Sequence, residues 1–204
     1  MHISKQLITK NIGCIIMASG VGKRFGGNKL MADFSGNPLI SHIIHTVKNT
    51  SITNCVVVTR HSDVANLCKK YNMEVLLHNM SLRNDVIRLG LAFFADTSLD
   101  GYMFCPADQP LLTAQSIEKL ILSFCQQPEK IHRLCFQEEP GSPVIFPAKF
   151  LKELYALPEG KGGGYLTRQH ADEVIYVPVS QHYELKDIDT MKDLDSLLHI
   201  FYTL

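Results

Sequence analysis

The chain has 204 residues, 46% hydrophobic and 20% charged, with 20 basic side chains balanced by 20 acidic ones. That length suits one well-buried domain rather than two, and the composition excludes an intrinsically disordered protein. Zero formal net charge argues against long nucleic acid as a ligand, which needs a basic excess, but not against a small phosphorylated molecule, which needs only a few local cations.

Residues 1–11 read as an N-terminal extension with no signal-type apolar segment, and no run approaches membrane-spanning length. A cytoplasmic protein with no membrane partner is the expectation. From Ile12 onward, short apolar runs alternate with amphipathic stretches. The runs are Ile12–Met17, Cys55–Thr59, Glu74–Leu77, Gly101–Cys105 and Arg133–Phe136. Continuous runs of this kind suit strands covered on both faces. The stretches between them, Pro38–Lys48, Ser62–Tyr71, Asn84–Phe94 and Thr113–Gln126, have helical spacing. Pro38 suits a first helical position and Thr113 an N-cap. Such alternation predicts a single three-layer α/β domain over residues 12–204, Rossmann-like and with a mostly parallel sheet. Past residue 136 the rhythm loosens. Gln137–Pro143 reads as a polar connection, Ser142–Phe146 as a short strand, Pro158–Gly164 as a glycine-rich stretch and Val174–Val179 as a strand. A last helix starts at Thr190, with Asp193 three residues on as in a capping box.

The six cysteines form no CxxC pair and no zinc-ligand spacing, and four fall in strand-like runs, where a thiol behaves as a small hydrophobe. The scattered histidines stand in no hydrolase context such as GxSxG.

On open parallel sheets, ligands bind beyond the carboxyl ends of strands, which directs attention to the loops after the first and fourth strands. The first runs Ala18-Ser19-Gly20-Val21-Gly22-Lys23-Arg24-Phe25-Gly26-Gly27-Asn28-Lys29. Glycines there bring backbone N–H groups close to phosphate oxygens, and Arg24 and Lys29 supply positive charge. A dinucleotide fingerprint fails, because Phe25 stands at the third glycine position and Thr59-Arg60, not an acid, end the second strand. No stretch supplies the GxxxxGK[ST] of a P-loop. The second loop runs Pro106-Ala107-Asp108-Gln109-Pro110-Leu111-Leu112. Asp108, at the end of a buried strand, is placed either to hold a divalent cation against a phosphate or simply to cap a turn.

Together, A-S-G-x-G-x-R-F-G-x-x-K and D-Q-P-L-L resemble the signatures of nucleotidyltransferases, closest to the branch of molybdenum cofactor cytidylyltransferases and molybdenum hydroxylase maturation proteins. The resemblance runs from Ile12 to Leu198. It implies the nucleotidyltransferase version of the fold and a magnesium-dependent transferase with Arg24, Lys29 and Asp108 in catalytic roles. Ala18, Ser19, Gly20, Gly22, Arg24 and Lys29 would bind the nucleotide. Ser81, Arg83 and Asp85, at the start of the helix after the third strand, face it from a helix N-terminus, although Asp85 also suits a helix cap. Gly141-Ser142-Pro143 is similar to the family's acceptor-side stretch, with Gly162 and Gly163 joining it. Asp187-Ile188-Asp189-Thr190 resembles the family's C-terminal motif, making Asp189 a second Mg²⁺ contact unless the segment serves only to cap a helix.

Relatives carry a G-D-x-G-x-R type loop where this chain has Gly160-Lys161-Gly162-Gly163-Gly164, without the acid or the arginine. In the molybdenum branch A-A-G accompanies CTP and A-G-G accompanies GTP. Ser19 is nearer in size to alanine, so the resemblance implies transfer of CMP from CTP to molybdopterin. The alternatives are GTP or another NTP, another phosphorylated acceptor such as a sugar phosphate, and a non-catalytic carrier that delivers the cofactor to a molybdenum hydroxylase apoenzyme.

Overall fold

The computed structural model describes residues 10–203. Of the extension expected over residues 1–11, residues 1–9 lie outside the described part. Lys10 and Asn11 are tied to the domain: the Lys10 ammonium lies 3.2 Å from Asp100 Oδ1, and the Asn11 N–H donates to Asp100 Oδ2 at 2.8 Å.

The first strand, β1 (Ile12–Ala18), is the centre of the molecule. Its period-two alternation sends Ile12, Cys14, Ile16 and Ala18 to one face and Ile15 to the other, and both faces are buried. A small hairpin, β2 (Asp33–Phe34) and β3 (Asn37–Pro38), turns through Ser35 and Gly36 at positive φ and leads into α1 (Leu39–Lys48). This hairpin was not expected, and it leaves Pro38 just before the helix rather than in its first turn. Then follow β4 (Asn54–Thr59), α2 (Ser62–Lys70), β5 (Glu74–Leu77), α3 (Arg83–Ala92), β6 (Gly101–Pro106) and α4 (Ala114–Gln126). As expected, Thr113 caps α4, its Oγ1 accepting from the Ser116 N–H at 3.1 Å.

The second half departs further from expectation. β7 (Ile131–Phe136) turns at once into β8 (Glu139–Pro147), so the connection expected over 137–143 is mostly strand. Two short helices follow, α5 (Leu151–Tyr155) and α6 (Gly163–Gln169), the second starting inside the glycine-rich stretch. β9 (Val174–Pro178) and α7 (Met191–Phe201) complete the chain.

The seven-stranded sheet has the order β5-β4-β1-β6-β8-β7-β9. β5, β4, β1 and β6 are mutually parallel, β8 runs antiparallel to both neighbours, and β7 and β9 are parallel to each other. Side chains of α1, α2, α4 and α7 pack on one face, and those of α3, α5 and α6 on the other. This is the expected three-layer, mostly parallel α/β domain. The order reverses at β1, since the chain goes outward to β4 and β5 and returns to β6 on the other side, and ligands bind at such a switch point. No helix among the described residues is long and apolar enough to cross a membrane. Four of the six cysteines are buried and all six are free thiols.

Candidate active site

Each side chain is brought to the carboxyl end of the sheet by a local device. After β1 the loop folds on itself, with the N–H groups of Phe25 and Gly26 both donating to Gly22 O at 3.0 Å. Gly22 takes φ +60°, and a Cβ there would lie 2.1 Å from Gly27 O, so only glycine fits. Asn28 then caps a short 3-10 turn over Lys29–Met31, its Oδ1 accepting from the Leu30 N–H, while its amide donates to both carboxylate oxygens of Asp63 on α2. This turn drives Lys29 inward until its side chain is 8% exposed.

There the Lys29 ammonium meets two carboxylates. It donates to Asp108 Oδ2 at 2.6 Å, beyond β6, and to Asp189 Oδ1 at 2.9 Å, ahead of α7. Arg24 donates to the other oxygen of Asp189 at 2.6 Å. The Ile188 N–H donates to Asp108 O at 3.0 Å, which clamps the C-terminal segment onto the β6 loop. Thr190 and Asp193 form the anticipated capping box of α7, and this frees the Asp189 carboxylate for the cluster. The electrostatics follow the contacts. Burial pulls the Lys29 ammonium down, but Asp108 and Asp189 together outweigh it and hold its pKa above the ordinary value. The hydrogen bond from Lys29, then the charges of Lys29 and Arg24, pull Asp189 down. Asp187 stands on the cleft wall, reached by solvent yet ringed by protein. Lost hydration, with the Asp108 charge next in size, pushes it up to about 6.

Asp108 and Asp189 converge on one cationic point, where an ammonium now stands. All-oxygen donors of this kind match Mg²⁺, which takes one or two carboxylates and completes its shell with water and substrate phosphates. No group of three or more His, Cys, Asp or Glu side chains among the described residues forms a complete metal cage. The donor set therefore fits a cation brought in with a polyphosphate. Gln109 adds a further oxygen. Its amide donates to Asp187 Oδ1 at 2.8 Å and to Leu185 O at 3.1 Å, leaving its buried Oε1 unpartnered.

Beside the cluster opens a cleft of about 500 Å³. Ser19, Gly20, Arg60, Ser81 and Arg83 line it from the β1, β4 and α3 side, and Arg133, Ser142, Gly163 and Thr167 line it from the β7, β8 and α6 side. Ser19 is held firmly. Its Oγ donates to Val58 O at 3.0 Å and lies 2.7 Å from His78 Nε2. The Met80 N–H donates to His78 Nδ1 at 3.0 Å, which makes Nε2 the protonated nitrogen and Ser19 Oγ its acceptor. Burial, then the charges of Arg60 and His61, lower the His78 pKa, consistent with a neutral ring.

Of the residues named from sequence, Ser19, Gly20, Ser81, Arg83, Asp108, Ser142 and Gly163 line the cleft. Lys29, Arg24 and Asp189 form the ion-pair cluster joined to Asp108. Ala18 is buried at the end of β1, and Gly22 closes its loop. Asp85 accepts from Arg88 at 3.0 Å and faces a separate, apolar hollow on α3. Pro143 is buried in β8, Gly162 packs on Arg83, and Gly141 gives its carbonyl to Arg133. Sequence reasoning missed Arg60, His78, Arg133 and Thr167, and it placed Asp187 in the C-terminal motif without giving it a role. For Arg133 a signal existed, a charge in the middle of the buried run IHRLCF.

Three similarities place the chain among known proteins. It is 27% identical over 109 residues to a probable molybdenum cofactor guanylyltransferase of Thermococcus gammatolerans, covering 53% of this chain and 54% of that one. It is 30% identical over 112 residues to the bifunctional protein GlmU of Pseudothermotoga lettingae, covering 54% of this chain and 25% of that protein. The chain thus spans from a quarter to about half the length of the curated relatives it matches. The fold matches Rv0371c of Mycobacterium tuberculosis with a TM-score of 0.82 at 19% identity, over 94% of this chain and 99% of that one. The family model described as the MobA-like NTP transferase domain matches residues 14–174, and the chain belongs to that family.

Proposed function

We propose that this protein is a nucleotidyltransferase that moves CMP from CTP onto the terminal phosphate of a molybdopterin-type acceptor, releasing pyrophosphate. The observation that carries the reading is the Lys29 ammonium held between Asp108 and Asp189 at the mouth of the cleft, with Arg24 on the outer oxygen of Asp189. A buried cation and two converging carboxylates at the switch point of a parallel sheet are what a triphosphate with its Mg²⁺ requires. When bound with the nucleotide, Mg²⁺ supplies charge neutralisation at the phosphates. The chain's own groups do the rest. Asp108 and Asp189 orient the cation, and Lys29 and Arg24 offset charge on the departing pyrophosphate. The backbone of residues 19–21 lines the cleft on the phosphate path, while the Phe25 and Gly26 N–H groups are spent on Gly22 O. The acceptor phosphate is already anionic and attacks directly, so no covalent enzyme intermediate is needed; catalysis is positioning and electrostatics.

CTP is favoured because Ser19 puts a fixed side chain into the cleft wall. Its bonds to Val58 O and His78 leave it no freedom to swing aside for a larger purine. GTP is the second reading, favoured by the similarity to a probable guanylyltransferase. The test is pyrophosphate release from each NTP with Mg²⁺, with and without molybdopterin. Release with CTP and molybdopterin only is the expected result, and Asp108→Ala should lower it by about 10²–10³-fold, as loss of one preorganised charge contact does. Release with GTP instead would overturn the base assignment. No release with any NTP, while molybdopterin still binds, would overturn the transferase in favour of a carrier.

A further inference from the structure

Arg133 sits in the middle of β7 and lines the cleft, half-buried between the buried His132 and Leu134. Its Nε and Nη2 both donate to Gly141 O, at 3.0 and 2.6 Å, and Nη1 makes a long 3.5 Å contact with Thr167 Oγ1. A guanidinium has five N–H donors. The side edge is therefore spent on a carbonyl, and one hydrogen on each Nη remains unused. No carboxylate pairs with Arg133 among the ion pairs of the described residues, which engage Lys29, Arg24, Lys10, Arg88, Lys149 and histidines instead. Burial draws the Arg133 pKa below its usual range; Tyr176 and Cys135, whose anionic forms would raise it, are neutral near pH 7, and the cation Arg168 lowers it slightly further. A half-buried cation satisfied only by neutral oxygens, on the wall of a cavity, lacks an anion.

We infer that Arg133 is the acceptor-phosphate subsite, its free end-on fork holding two oxygens of a phosphate monoester, with the hydroxyls of Ser142 and Thr167 on the same wall. The inference rests on the transferase reading for what the bound phosphate does next, but the subsite stands on Arg133 itself. The bonds to Gly141 O hold the fork in place before any ligand arrives, which lowers the entropic cost of binding. A tetrahedral dianion suits this fork better than a planar monoanion of the same size, because it offers more charge to the two donors.

The experiment is calorimetric titration of phenyl phosphate into the protein saturated with Mg²⁺ and a non-hydrolysable CTP analogue, with benzoate as the carboxylate comparison. Phenyl phosphate should bind and benzoate should not. Arg133→Gln, which keeps an amide to serve Gly141 O, should weaken phenyl phosphate by about 10-fold or more. Arg133→Lys, which keeps charge but not the fork, should fall between. Affinity for the CTP analogue should stay within about twofold in both, which a merely structural role for Arg133 would not allow. Unchanged phenyl phosphate affinity in both variants, no binding to the native protein, or equal binding of benzoate would each overturn the inference. If the analogue itself fails to bind, the titration is run without it. Loss of phenyl phosphate on Arg133→Gln would then uphold the subsite while the transferase reading fails.

Discussion

Two glycine-rich segments border the cleft, residues 20–27 and 160–164, and they are built on opposite principles. In the first, added Cβ atoms at Gly20, Gly26 and Gly27 would meet nothing within 4 Å, and Gly20 lines the cleft. Gly22 and Gly26 both take a left-handed φ, and Gly22 is required twice over, because a Cβ there would also strike Gly27 O. The second segment is docked onto α3. Asn84 Oδ1 accepts from the Gly160 N–H at 2.8 Å, and Arg88 donates to Tyr155 O and Leu157 O just upstream. Two of its glycines are spacers: a Cβ on Gly162 would lie 2.6 Å from Arg83 Cδ, and one on Gly163 3.0 Å from the Phe146 ring, whereas Gly160 turns the chain at φ +69° in open space. Similar composition therefore answers two demands, open backbone around Gly20, Gly26 and Gly27 in one place and close packing behind a cleft arginine at Gly162 in the other.

Substitutions sharpen that contrast. The largest effect is expected from Gly22→Ala, which strains φ and drives a methyl into the backbone of the same loop. Affinity for CTP with Mg²⁺, measured by calorimetry, should fall about 10-fold or more, since αL strain alone costs about 1–2 kcal/mol. The melting temperature should hardly move, because the loop carries little of the core. Gly27→Ala, in open space, should leave affinity within about twofold. Equal losses in the two variants would break the distinction between a required and a permissive glycine.

Gly162→Ala comes next. The methyl displaces Arg83, a flexible side chain that can yield, so nucleotide affinity should fall only about 3–10-fold with the fold intact. A loss as large as that of Gly22→Ala would mean that the second segment touches nucleotide directly.

The smallest effect separates the segments by pH. The first is linked through Ser19 to His78, whose ring is held neutral; the second contains no histidine. The His78 pKa is lowered by folding, as are those of His42 and His132. As pH falls through about 6.5 the unfolded chain takes up these protons first, so stability is fully present above that pH and declines below it. Chemical denaturation between pH 8 and pH 6 should show this decline, and His78→Gln should flatten part of it; below about pH 6 protonation of Asp187, whose pKa folding raises to about 6, adds stability and opposes the histidines. A protonated His78 also carries a hydrogen on Nδ1 facing the Met80 N–H, so acid should loosen Ser19 before it reaches the second segment. An unchanged slope in His78→Gln would place the pH dependence on the other two rings.

The legibility of the chain differed along its length for a physical reason. From β1 to α4 the main strands β1, β4 and β6 are short, mostly buried apolar runs, β5 is a half-exposed edge run, and each helix carries its own cap or periodicity. Fold class, strand sequence and the two loops at the switch point could therefore be read directly. Beyond β7 the signals conflict. Glu139–Pro140–Gly141–Ser142 looks like a connection because its residues are polar or turn-forming, yet all four lie in β8, Glu139 and Pro140 paired with β7 and Gly141 and Ser142 at the register shift between the strands. Gly163 and Gly164 look like a loop, yet they open α6, whose Leu166 packs into the core. Tertiary packing overrode local propensity in both places.

For the site, the sequence alone singled out the candidate groups: the glycine-bearing loop, Lys29, Asp108 and the acid-rich 187–193 segment are all readable as motifs. It did not determine which of them meet. Lys29 reaches Asp108 and Asp189 across separations of 79 and 160 residues, and Arg24 reaches Asp189 across 165. Arg133 shows the same limit more sharply. In the sequence it is one charge in an apolar strand; only the pairing of β7 with β8 spends one edge of its guanidinium on Gly141 O and leaves the other without an anion. Periodicity and motifs are local in the chain, whereas charge pairing depends on distances that exist only once the sheet has brought its strand ends together.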